Sequence, residues 1–167
     1  MNGQATADHI AEEEPAFTPA PPPANRMILA VMALIGVVIA AYMALYKLGA
    51  IASIACGTGA CEVVQSSPWA VFLGVPVPLW GVAGYATILA LAIAGLQPRF
   101  TRDRRIGAAL LALTTFAFGF SVYLSWVEAV LIQAWCRWCV GSALVATALF
   151  LAALPELPRL RTGRAAL

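Results

Sequence analysis

Two cysteine pairs carry most of the chemistry this sequence offers: Cys56-Gly-Thr-Gly-Ala-Cys61 and Cys136-Arg-Trp-Cys139. On a helix, residues three apart share a face, so Cys136 and Cys139 stand within disulfide reach. A helix start favours a thiolate through its dipole and free N–H groups, and Arg137 adds a positive charge nearby. A thiol so lowered is a competent attacker and leaving group in thiol–disulfide exchange. The first pair differs in kind. Gly57 and Gly59 predict a flexible loop that turns one sulfur to water and swings the other toward the membrane. A purely structural staple over so few residues would close too small a loop to stabilise much. Exchange chemistry is therefore preferred to two static disulfides or a four-cysteine zinc site. Covalent haem attachment needs histidine directly after the second cysteine, and Val140 stands there.

The elements that position these sulfurs must be membrane helices. Of 167 residues, 62% are hydrophobic and 11% charged, too little polar surface for a water-soluble fold of this size. No basic stripe or motif points to nucleic acid. The single histidine, His9, lies in a polar, proline-rich stretch, which argues against histidine-held haem or metal in the membrane. Residues 1–26, with Glu12 to Glu14 and five prolines, read as a disordered tail.

Uncharged runs then predict spans at about 27–46, 78–96 and 106–126, with a fourth at about 135–154 that carries Arg137. Residues 155–167 read as a second tail. In lipid such runs must be helical, because the backbone satisfies its hydrogen bonds internally. The expected fold is an all-α integral membrane protein. It is a four-transmembrane-helix bundle with an extracytoplasmic cysteine loop and a short interfacial helix.

Arg26, Arg99, Arg102, Arg104, Arg105, Arg159, Arg161 and Arg164 fall on one side, Lys47 and Arg137 on the other. That asymmetry predicts both termini in the cytoplasm and all four cysteines on the outer face, where disulfides persist. Glu128 is expected at that outer boundary, either facing water or carrying protons. Trp69 to Leu73 is too short to span and reads as interfacial. All five tryptophans (Trp69, Trp80, Trp126, Trp135, Trp138) belong to the outer half. They read as an aromatic belt or as the lining of a pocket for a flat ligand.

Three stretches together resemble the vitamin K epoxide reductase family. They are Cys56 with Cys61-Glu62-Val63-Val64-Gln65-Ser66-Ser67-Pro68-Trp69-Ala70; Gly74-Val75-Pro76-Val77-Pro78-Leu79-Trp80-Gly81 with Tyr85; and Trp135-Cys136-Arg137-Trp138-Cys139. The resemblance covers about residues 27–154. It implies a quinone cofactor (ubiquinone or menaquinone, or a vitamin K-type quinone) at the CxxC. Cys139 would face the quinone, Cys136 would exchange with Cys61, and Cys56 would take electrons from the partner. Ser67 would sit near the ring, in a pocket involving Trp69, Trp80, Tyr85, Trp135, Trp138 and Ala143. Ala143 stands where vertebrate members have tyrosine, which weighs against epoxide chemistry. The role implied is that of a bacterial, DsbB-like enzyme without a fused thioredoxin domain. It would sit in the inner membrane, draw on the quinone pool and be served in trans by a DsbA-like thioredoxin-fold protein. A vitamin K quinone or epoxide reductase, and a non-catalytic membrane protein with two structural disulfides, are the alternatives.

Overall fold

A computed structural model describes residues 24–57, 60–101 and 103–162. Along the chain come α1 (Ala24–Lys47), the short α2 (Cys61–Ser66) and a 3-10 turn (Pro68–Ala70). Strands β1 (Val71–Phe72) and β2 (Val75–Pro76) follow, then α3 (Val77–Leu96), α4 (Arg104–Trp126), α5 (Arg137–Ala153) and α6 (Glu156–Thr162). Among the described residues, four helices are long and apolar enough to cross a membrane, and the protein is a multi-pass, all-α membrane protein. Many of their apolar side chains, Val31, Leu34, Val38, Phe116, Leu144 and Leu151 among them, point outward as a lipid-facing surface requires.

Small residues set the closest packing. Ala33, Gly36 and Ala40 recur at helical spacing on the buried face of α1, which packs on α3. A Cβ at Gly36 would stand 2.5 Å from the Tyr85 ring, so only hydrogen leaves room there. The Tyr85 hydroxyl then reaches α5, 2.9 Å from the Ser142 carbonyl and 2.8 Å from Ser142 Oγ. One side chain thus ties three helices. Leu29, Ile88, Leu110 and Leu149 fill the bundle around it.

At the end remote from the cysteines, the expected tail boundaries are corrected. Helix α1 begins at Ala24, and Arg26 is only 2% exposed. Its guanidinium meets Glu156 twice, Nε to Oε1 at 3.1 Å and Nη2 to Oε2 at 3.2 Å, and Nη1 donates to the Gly95 carbonyl at 2.9 Å. Asn25 donates to Glu156 as well. A buried guanidinium is tolerated because a fork-to-fork carboxylate and a carbonyl satisfy it. Residue 156 accordingly opens α6 rather than lying in a tail. Residues 1–23 and 163–167, with Thr58, Gly59 and Arg102, lie outside the described residues.

Two further differences concern the cysteine end. The connection expected at 127–134 is a continuation of α4, a π-helical turn over Val127–Ile132 that ends at Gln133 in the left-handed region (φ 55°). Such turns often re-aim side chains at functional sites. The segment read as interfacial is the 3-10 turn plus a hairpin, turned by Leu73 (φ 52°) and Gly74 (φ 78°). Leu73 at its tip is 78% exposed, and Val71, Phe72 and Val75 beside it are exposed too.

Candidate functional site

Helix α5 starts where its motif requires. Cys136 is the N-cap residue and its Sγ accepts from the Cys139 N–H at 3.4 Å, while both thiols are free. Cys136 lies in the connection outside the spans. A hydrogen bond from the Cys139 thiol holds it below the ordinary thiol range. Burial opposes that, the Cys139 and Trp138 backbone N–H groups help, and the Glu128 carboxylate opposes. Arg137, expected to supply the positive charge, turns instead to the loop. A Cβ on Gly57 (φ 61°) would stand 2.6 Å from its Nη1, so the guanidinium packs directly on that glycine.

Cys56 and Cys61 form a disulfide with Cα atoms 5.9 Å apart. The expectation of a water-facing shuttle is corrected. Cys56 is 8% exposed and Cys61 not at all, because the loop stems are pinned to the bundle. Ala55 is held at both backbone groups. Its N–H donates to the Tyr42 hydroxyl at 2.8 Å, and its carbonyl accepts from Trp138 Nε1 at 2.9 Å. The Ala60 N–H donates to the Trp135 carbonyl at 3.1 Å. Cys56, Cys61 and Cys136 share one buried cluster with Met43, Ile54 and Val64.

Glu128, carried inward by the π turn, is 4% exposed, so the water-facing reading of it is overturned. Its Oε2 accepts from the Cys136 N–H at 3.0 Å, and its carboxylate also meets the Cys139 thiol. It is a candidate site residue that the hydrophobic pattern underrates, because a carboxylate at a span end normally faces water.

Below this cluster lies an apolar cavity of about 520 Å³, bounded by the four long helices, α2 and the hairpin. Of the residues picked from sequence, Ser67, Trp69, Trp80, Tyr85, Cys139 and Ala143 border it. The Ser67 hydroxyl donates to the Val64 carbonyl at 2.7 Å, and Trp80 Nε1 donates to the Phe72 carbonyl at 3.1 Å, holding the hairpin. Trp135 and Trp138 are not on its wall. Trp138 packs on Tyr42, ring centroids 4.7 Å apart, and Trp135 is exposed. Cys136 is also off the wall, so the two thiols of one motif face different surroundings. Sequence reasoning missed Tyr42, which no pattern within a span distinguishes from ordinary lining.

The cavity's size and apolar walls suit a flat ring, and a few polar side chains, among them Gln65, Glu128 and Ser142, border it with Cys139. These features define a class: a multi-pass membrane protein with a thiol pair at the edge of a ligand-sized apolar cavity. The model of the vitamin K epoxide reductase family matches residues 27–154, and the chain belongs to that family. The family is one of quinone-associated oxidoreductases.

Proposed function

We propose that this protein is a quinone-dependent thiol:disulfide oxidoreductase that makes disulfides for a DsbA-like thioredoxin-fold partner acting in trans. It would sit in a bacterial inner membrane, both termini cytoplasmic and the cysteines outside. One observation carries the reading: Cys139 borders the cavity while Cys136 is buried in the same cluster as Cys56 and Cys61. The CxxC pair therefore joins two compartments.

A partner thiolate attacks Cys56, and Cys61 leaves as a thiolate. The partner's second thiol resolves the mixed disulfide, and the oxidised partner departs. Cys61 then attacks Cys136 of the Cys136–Cys139 disulfide, and Cys139 is released at the cavity, where it takes up the proton that the attacking pair gives up. Cys56 resolves that intermediate and restores Cys56–Cys61. A bound quinone supplies the sink for two electrons and two protons. The disulfide would re-form as Cys136 and Cys139 together give up two electrons and two protons to that sink, Cys136 being the thiol already held toward its thiolate. Glu128, in contact with Cys139, accepts its proton. Ala143 puts no hydroxyl on the wall, which favours quinone reduction over epoxide opening.

The test is purified protein with a short-chain quinone and a reduced thioredoxin-fold partner, followed by quinone absorbance. Cys139→Ala abolishes quinone reduction. Cys56→Ala blocks the protein partner and spares reduction driven by a small dithiol. No quinone reduction with any such donor sinks the proposal.

A further inference from the structure

Helix α2 places one polar side chain against the cavity in a way that packing alone does not explain. Gln65 is 4% exposed and borders the cavity, and its Oε1 is buried with no hydrogen-bond partner among the described residues. A buried amide oxygen left unpaired is costly, so each one calls for a partner such as a water, an ion or a ligand. The residue's placement is not loose. Its own carbonyl accepts from the Lys47 ammonium, fixing the end of α2 to the end of α1.

The neighbouring hydroxyls are already committed. Ser67 Oγ spends its proton on the Val64 carbonyl, and Tyr85 and Ser142 pair with each other. Ser121 and Ser125 border the cavity from α4 but are only half-buried. Gln65 differs from all of these in having hydrogen-bonding capacity that is both enclosed and unspent.

We infer that the Gln65 amide, rather than the Ser67 hydroxyl, hydrogen-bonds the polar edge of the ring held in this cavity; the inference rests on the quinone reading above. An amide is both donor and acceptor. Oε1 accepts from a hydroquinone hydroxyl. Turned about its terminal bond, the same group donates Nε2–H to a quinone carbonyl. Gln65 thus recognises both redox forms, whereas Ser67, its proton engaged, is left only as an acceptor. Gln65 is a binding residue for the ring and transfers neither electrons nor protons.

The experiment titrates a short-chain benzoquinone into oxidised protein without any thiol donor, reading quenching of tryptophan fluorescence; Trp69 and Trp80 border the cavity and report on it. Melting temperature of the ligand-free protein is the second readout. Gln65→Met weakens binding about five- to tenfold, the loss of one hydrogen bond. It leaves the ligand-free melting temperature unchanged or higher, because a buried unpaired oxygen is gone. Ser67→Ala stays within about twofold of the wild-type affinity, well under the loss of one hydrogen bond. Equal affinity in Gln65→Met overturns the inference while leaving the quinone reading intact. So does a fall in the ligand-free melting temperature, which makes Gln65 a packing residue. An absence of saturable quenching in the wild type overturns the quinone reading itself.

Discussion

Trp138, inside the Cys136–Cys139 motif, donates its indole N–H to the carbonyl of Ala55, the residue before Cys56, at 2.9 Å. The two redox pairs are therefore mechanically joined as well as adjacent. Trp138→Phe keeps the ring against Tyr42 and removes the donor. Partner-driven turnover should fall about fivefold, the worth of one hydrogen bond, with quinone affinity unchanged. A matched loss of quinone affinity would return Trp138 to the cavity wall.

Glu128 separates into two roles by substitution. Glu128→Gln keeps an acceptor for the Cys136 N–H and removes the base, so quinone reduction should slow about 100-fold with little change in stability. Glu128→Leu also orphans that N–H and should cost a further 1–3 kcal/mol or so of stability. Stopped-flow absorbance and thermal melts read the two effects apart.

Linkage gives Cys136 a pH signature in the reduced protein. Its folded pKa lies below the unfolded one, so its contribution is present above the unfolded value, about 8.5, and is lost as pH falls through the folded value. The melting temperature of reduced wild type relative to Cys136→Ser should therefore rise as pH is raised toward the unfolded value of about 8.5 and level off above it. A flat difference would mean that the Cys139 thiol bond does not hold the thiolate.

Removing one member of the Arg26–Glu156 pair should destabilise the bundle by about 3–5 kcal/mol, because it strands a buried charge. Arg26→Met with Glu156→Met together should recover most of that loss, as measured by unfolding in mixed micelles. Failure of the double variant to recover would assign the loss to the Gly95 contact instead.

The spans were legible because lipid demands long, uncharged, hydrogen-bonded runs, and those survive in sequence. Their ends were not. Arg26 looks like an ordinary flanking charge until Glu156, 130 residues away, is folded against it. The cysteines were legible by spacing, and the residues around Ser67 and Trp80 by family motif. The division of the tryptophans was not, since all of them sit at one end of the bundle and only packing assigns Trp80 to the cavity and Trp138 to the loop. The water-facing reading of Glu128 failed because a helix was assumed to stop where it in fact widens into a π turn.

The buried cluster that holds both Cys61 and Cys136 would, in the proposed relay, have a chemical consequence beyond passing electrons. Quinones are electrophiles, and a free thiol that reaches one adds to its ring and ruins it. In the proposed relay, the partner's thiol would stay on one side and the ring on the other, with Cys139 the cysteine that borders the cavity, so the protein would work as an airlock. Electrons would pass through it, and the nucleophile that brought them would not.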